Sequence, residues 1–234
     1  SDMINLGFIG TGKQSRSLQN SFKEKANIVA GADVDALKLN YFQSLLDKYY
    51  ATARKDGKGR EYKGFTAYED YKEIIGRKDI DAVLIVTPVH RHEKITRDAL
   101  QAGKHVLCEK PLALSLSEAR SMFNAARANG VMLLEAYPYW FQPQTGDLVK
   151  HLTANDGTGI GHIRSVHTSF GFTVGNPETN IRMKPELGGG ALLDAGSYPL
   201  SLIRLVMGCA PQQVMAHANW ATSGVDIAMM ATLI

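Results

Sequence analysis

Cysteine is scarce. Cys108 and Cys209 are the only two in 234 residues, too few for a disulfide framework and at no metal-ligand spacing, so neither a disulfide-stapled scaffold nor a metal site is expected. Two lone thiols suit a reducing, cytoplasmic compartment. No apolar run reaches the roughly 20 residues that span a bilayer. No positively charged stretch followed by an apolar one opens the chain, so no membrane association and no secretory signal are expected. The formal charge is only +3, and no run of Lys and Arg is interleaved with aromatics, which leaves nucleic acid without a footprint. Internal repeats and low-complexity tracts are absent as well.

What is present is an ordinary globular balance, 44% hydrophobic and 21% charged, long enough for one and a half to two domains. Apolar runs at Ile4–Ile9, Ile28–Ala32, Ala82–Val86, Val106–Cys108 and Val131–Leu134 read as strands. Helical spacing separates them: Leu18 with Phe22, then Leu37, Phe42, Leu45 and Tyr49, and Ile95 with Ala99 before Gly103. Arg54–Lys63 reads as an exposed loop, and Ser115 with Glu118 forms a capping box for a helix ending near Gly130. Strands that are apolar throughout are buried on both faces, and helices between them imply a parallel, doubly wound α/β sheet. The rhythm changes after about residue 145. Ile163–Phe172, Val214–Trp220 and Val225–Ile234 read as longer, partly alternating strands of a mostly antiparallel sheet. Three strands make a poor independent unit, so residues 1–135 are expected to form one domain and 136–234 a second, α+β domain that is C-terminally incomplete.

Gly10-Thr11-Gly12 follows the first strand and opens the first helix. In such a turn the first glycine permits the bend and the second lets a pyrophosphate reach the backbone, while the helix N-terminus supplies free N–H groups. Ser15 stands at the third fingerprint position, where Gly or Ala is usual. Asp33 lies 21 residues after Gly12, where a carboxylate takes the adenosine ribose hydroxyls. The expected seat is therefore Gly10, Thr11, Gly12, Lys13 and Gln14 for the pyrophosphate, with Asp33 and Val34 at the ribose. The alternative is a purely structural glycine turn. Asp33 would repel a 2′-phosphate, so NAD is favoured over NADP, with Lys38 the near cation that could offset it.

In doubly wound sheets, ligands sit at the carboxyl ends of the strands. Two segments carry chemistry there, Thr87-Pro88-Val89-His90-Arg91-His92 and Glu109-Lys110-Pro111. Lys110 can hydrogen-bond a substrate hydroxyl, lower its pKa, or hold the charge of an alkoxide as hydride leaves; the alternative is a solvated surface lysine. His90 and His92 are two apart, a poor metal pair, so one of them is expected to line the cofactor. Further on, Gly188-Gly189-Gly190 precedes Asp194 and Tyr198, which are four apart and share a helical face. With a lysine these would make a proton-relay set for a carbinol, unless Asp194 only caps a helix starting between Asp194 and Pro199, and Tyr198 only packs.

Together, Gly10-Thr11-Gly12, Thr87-Pro88 with His92, Glu109-Lys110-Pro111, and Gly189-Gly190 followed by Asp194 and Tyr198 resemble the glucose–fructose oxidoreductase/inositol dehydrogenase (Gfo/Idh/MocA) family over nearly the whole chain. The resemblance implies a Rossmann domain followed by an α+β domain with a large open sheet, and hydride transfer between NAD(P) and a sugar, polyol or related carbinol. It implies Lys110 as the catalytic lysine, Asp194 as the acid, and Tyr198 where some members carry His; the tyrosine form resembles the branch of xylose and dihydrodiol dehydrogenases. Thr87, Pro88, His92, Glu109 and Lys110 would flank the cofactor, and Tyr137, Trp140, Asp194, Tyr198 and Lys110 the substrate. Val89 departs from the usual Asn, and Trp140 stands where many members carry Arg. A homodimer or homotetramer through the second sheet is implied. Some relatives are NAD-dependent glycosidases that oxidise transiently, and others are cofactor-binding sensors, which tend to lose the lysine or the acid.

Overall fold

The apolar runs of the first half become six parallel strands. They are β1 (Asn5–Ile9), β2 (Asn27–Ala32), β3 (Thr66–Tyr68), β4 (Ala82–Ile85), β5 (His105–Glu109) and β6 (Leu133–Ala136), in the order β3-β2-β1-β4-β5-β6. The computed structural model describes residues 3–55, 62–154 and 158–234. These fall into two compact units, Ser1–Ala136 and Tyr137–Ile234.

In the first unit the helices α1 (Lys13–Phe22), α2 (Ala36–Lys55), α3 (Tyr71–Ile75), α4 (His92–Gln101) and α5 (Leu116–Ala128) cover the sheet on both faces. Alternate residues of β1 show why. Leu6 and Phe8 pack with Ile28, Phe42, Leu46 and Tyr50 on one face, while Ile9 packs with Val83, Ile85, Ile95, Leu100 and Met122 on the other. Each of these side chains is nearly or fully withdrawn from water, at roughly 1.5–3 kcal/mol apiece. The sheet order reverses direction at β1 and β4, the crevice where ligands of such folds bind.

Details depart from the sequence reading. The three-residue edge strand β3 is too short to leave a periodic signal, and β6 begins two residues later than expected. Glu118 accepts from the Leu114 N–H (2.9 Å), not from that of Ser115, whose hydroxyl accepts from Glu118 N–H (3.2 Å). Most of the loop expected at Arg54–Lys63 lies outside the described residues.

The second unit holds α6 (Pro143–Thr153), α7 (Ser197–Met207) and an antiparallel hairpin of β7 (Val214–Trp220) and β8 (Asp226–Leu233). The strand expected at Ile163–Phe172 does not form. Alternation marks a segment able to lie on a sheet, but a strand exists only where a neighbour takes its N–H and C=O groups, and among the described residues β7 pairs with β8 alone. Helical backbone also begins earlier than expected. A π-helical turn, Leu192–Gly196, runs into α7 and contains Asp194, so Asp194 is not the cap. The wider turn sits just ahead of Pro199, whose ring would otherwise meet the carbonyl four residues back.

Candidate active site

The loop between β1 and α1 is built around two glycines with different jobs. Gly10 has φ +87°, and a Cβ there would stand 2.7 Å from the Val86 carbonyl oxygen, so only glycine fits. Gly12 has an unstrained φ of −67°, and nothing lies within 4 Å of where its Cβ would be. It caps α1 without a side chain, and no acid occupies the first turn, so the helix presents its N–H groups and positive dipole end to open space. Ser15 does more than fit a tight gap: it is fully buried and its hydroxyl donates to the Gly10 carbonyl at 2.5 Å. Lys13 and Gln14 are exposed on the first turn.

Asp33 ties this loop to the end of β2. Its Oδ2 accepts from the N–H and the hydroxyl of buried Thr11 (2.7 and 3.0 Å), and its Oδ1 from Asp35 N–H (3.0 Å). Val34 beside it is exposed. Lys38 pairs with Asp35 at 2.9 Å and holds that carboxyl below its usual range. The Arg16 guanidinium lies 5.0 Å over the Tyr41 ring.

The loops after β4 and β5 are joined from behind. His92 is buried, its Nε2 is 2.8 Å from the Thr87 carbonyl, and its Nδ1 is 2.9 Å from the Pro111 carbonyl. Burial pushes its pKa down, although both carbonyls favour the imidazolium. With both nitrogens turned to backbone carbonyls, His92 braces the two loops against each other. Pro88 is exposed, and the Thr87 hydroxyl oxygen is buried with no hydrogen-bond partner among the described residues. Lys110 is joined to Pro111 by a cis peptide. Gln14 donates to Glu109 Oε1 (3.2 Å), linking α1 to the end of β5, and Glu109 Oε2 accepts from Lys110 N–H (3.1 Å).

A second carboxylate, absent from the sequence reading, joins this edge. Glu135 at the end of β6 accepts from Leu112 N–H at 2.7 Å, and its strand register sets it opposite Cys108. Burial raises the pKa of both Glu109 and Glu135, against the pull of the Lys110 ammonium. Glu135 had a legible signal: an acid ending an apolar strand at the same sheet edge as Lys110. The bare backbone of Gly12, the uncapped helix and the partnerless Thr87 hydroxyl together fit a dinucleotide whose pyrophosphate rests on the loop.

In the second unit, Tyr198 sits among aromatic rings. Tyr137 is 5.3 Å away and edge-on, Phe170 is at 5.5 Å and Tyr139 at 6.4 Å. Trp140 donates from Nε1 to the Ser201 hydroxyl (3.1 Å), which also pairs with the Tyr139 hydroxyl (2.6 Å). Asp194 Oδ2 is 2.5 Å from Nε of Arg182, a residue that no sequence pattern singled out.

The family model described as "Oxidoreductase family, NAD-binding Rossmann fold" matches residues 4–137, and the GFO/IDH/MocA C-terminal domain matches residues 153–234. The D-xylose 1-dehydrogenase (NADP(+)) 2 of Haloferax volcanii is 34% identical over 168 residues, 72% of this chain and 50% of the relative. The scyllo-inositol 2-dehydrogenase (NADP(+)) IolU of Bacillus subtilis is 31% identical over 233 residues, 96% of this chain and 64% of the relative. The crystal structure of aldose-aldose oxidoreductase from Caulobacter crescentus complexed with glycerol superposes with a TM-score of 0.81 at 27% identity, over 100% of this chain and 68% of that one. The chain spans about half the length of the first curated relatives it matches. A glycine cradle, a lysine-bearing edge and two matching domain families lead to one assignment: the chain belongs to the GFO/IDH/MocA oxidoreductase family.

Proposed function

We propose that this chain works as an NAD(P)-dependent oxidoreductase on a CH–OH group of a sugar, polyol or dihydrodiol. The observation that carries the reading is the edge where bare Gly12, Thr87 Oγ1 (buried and without a hydrogen-bond partner among the described residues) and Lys110 are gathered by adjacent strands. Bound nicotinamide supplies the hydride chemistry. Gly10, Thr11, Gly12, Lys13 and Gln14 hold the pyrophosphate, and Asp33, beside Val34, takes the ribose hydroxyls and disfavours a 2′-phosphate. Thr87 and Pro88 border the nicotinamide, braced by His92, while Glu109 anchors Gln14 and the Lys110 backbone.

On the substrate side, Lys110 donates to the oxygen of the reacting carbinol. That oxygen must lose a proton as hydride leaves, and the acceptor is Tyr198 as its phenolate, or Lys110 as its neutral amine, becoming phenol or ammonium in the step. Asp194 accepts from a neighbouring hydroxyl, and Tyr137 and Trp140 contact the substrate ring. The exposed apolar side chains of the β7–β8 hairpin, Val214, Met215, Trp220, Ile227 and Met230, support assembly through this sheet as a homodimer or homotetramer. The two free thiols fit a reducing, cytoplasmic setting. The test is a turnover screen of aldoses, polyols and dihydrodiols with NAD+ and NADP+, followed by absorbance of the reduced nicotinamide. Turnover that vanishes in Lys110→Met supports the reading; undiminished turnover in that variant sinks it.

A further inference from the structure

Of the glycines before Asp194, Gly189 leaves room for the backbone of Arg182 and Gly190 for the carboxylate of Asp226. A Cβ on Gly189 would stand 2.4 Å from the Arg182 carbonyl oxygen, and that oxygen accepts the Gly190 N–H at 2.9 Å. Gly190 has φ +119°, and its Cβ would meet Asp226 Oδ1 at 2.1 Å. The backbone at Arg182 is also held by Asn180, which caps the short helical turn Ile181–Met183 and accepts the Arg182 N–H at 3.1 Å. The close approach at Gly189, the Gly190 N–H and the Asn180 side chain thus fix the Arg182 backbone beside the segment that leads into the helical turn bearing Asp194. From there its Nε reaches Asp194 Oδ2 at 2.5 Å, and its guanidinium lies 5.3 Å over the Phe172 ring. Phe172 contacts Phe170, and Phe170 contacts Tyr198. Arg182, Asp194, Phe172, Phe170 and Tyr198 therefore make one continuous patch.

A paired guanidinium and carboxylate are jointly neutral yet bipolar. The carboxylate keeps lone pairs for a hydroxyl proton, and the guanidinium fork carries N–H donors beyond Nε. Neighbouring hydroxyls, each able to donate and to accept, match both partners at once. A carboxylate or phosphate on the substrate would find its natural cation already paired and would face the Asp194 charge.

We infer that Arg182 is a positioning and specificity-determining residue: it orients Asp194 and, by neutralising it, tunes the patch to uncharged polyhydroxy substrates and against sugar acids and sugar phosphates. The inference rests on the proposed role of Asp194 and Tyr198 at the substrate.

The test measures KM and kcat for D-xylose and myo-inositol, and inhibition by D-xylonate, D-gluconate and D-glucose 6-phosphate, with saturating NAD+ and NADP+ in turn. Losing a charged hydrogen-bond partner is worth roughly ten- to a hundredfold, so Arg182→Gln should raise KM by about that factor with a smaller change in kcat. Arg182→Lys, which keeps charge but not the fork, should recover part of the loss. Asp194→Asn should turn over poorly but become inhibited at least tenfold more strongly by the two aldonates, because it frees the guanidinium. A purely structural arginine would give no such opposite movement, and thermal unfolding of each variant checks that the fold is kept. Unchanged KM in Arg182→Gln, or a wild type that prefers the acids, overturns the inference while leaving the oxidoreductase reading intact. A wild type that neither turns over the polyols nor is inhibited by the acids overturns both.

Discussion

Gly10 and Gly12 stand two residues apart in one loop, and their substitutions should fail in opposite ways. At Gly10 a side chain must adopt a left-handed φ, at about 1–2 kcal/mol. Its Cβ would also press on the Val86 carbonyl at 2.7 Å, a backbone atom that cannot swing aside. Strain and overpacking together put Gly10→Ala at about 2–5 kcal/mol of lost stability. At Gly12 the backbone is unstrained and a Cβ meets nothing within 4 Å, so Gly12→Ala should cost about 1 kcal/mol or less, the ordinary difference between the two residues at a helix N-cap. Its methyl group would project into the space above the uncapped first turn, where the pyrophosphate is proposed to lie. Losing one or two charge-assisted hydrogen bonds there weakens NAD binding by roughly ten- to a thousandfold. Urea unfolding and calorimetric titration with NAD separate the two effects. Gly12→Ala with wild-type affinity, or Gly10→Ala with wild-type stability, would refute the assignment of the two roles.

Four further outcomes are expected. Lys110→Met should lower kcat by roughly two to four orders of magnitude while the Kd for NAD stays within threefold; comparable turnover in that variant would reduce Lys110 to a surface residue. Asp33→Asn, which keeps an oxygen for Thr11 but drops the charge, should raise the NADP-to-NAD ratio of kcat/KM about tenfold, since one unit charge a few ångströms away is worth upwards of 1 kcal/mol; an unchanged ratio would remove Asp33 from cofactor selection. Lys104 is buried and donates from Nζ to the carbonyls of Arg77 (2.5 Å) and Ile80 (2.8 Å), so Lys104→Met should destabilise the chain by about 2–4 kcal/mol in chemical denaturation. The His92 pKa is depressed in the fold, so its contribution to stability is present above the ordinary value of 6.5 and is lost as pH falls from there toward the lower folded value. His92→Gln should flatten that part of the stability–pH curve, and an unaltered slope would show that another group carries it.

The first unit was legible because its signals are local and repeated. An apolar run followed by Gly-x-Gly and a spaced acid specifies strand, turn, helix and strand within thirty residues, and burial on both faces removes any ambiguity of period. What escaped were features set by partners distant in sequence. The alternating segment at 163–172 satisfies the pattern of a strand but has no neighbour among the described residues to complete its ladder. Arg182 carries no signal in the sequence, because its place is set by the bare backbone of Gly189, seven residues on, and by its pairing with Asp194. The sequence places His92 at this edge, but its carbonyl partners, Thr87 and Pro111, are visible only in three dimensions. Glu135 was within reach of the rule that picked out Lys110, had that rule been carried one strand further.

The adjacency of β1, β4 and β5 gives this edge a fixed gauge. Neighbouring strands are held about 4.8 Å apart by their backbone ladder, so the glycine loop after β1 and the lysine after β5 are indexed two rungs apart by the main chain alone. Side-chain changes in the core, even costly ones, move such an interval by fractions of an ångström. A register slip is different in kind, because it would carry a residue about 3.3 Å along its strand and turn it to the opposite face. The loops at this edge can therefore change in sequence and length without altering the span between the glycine loop and Lys110, provided the strand pairings beneath them are left untouched.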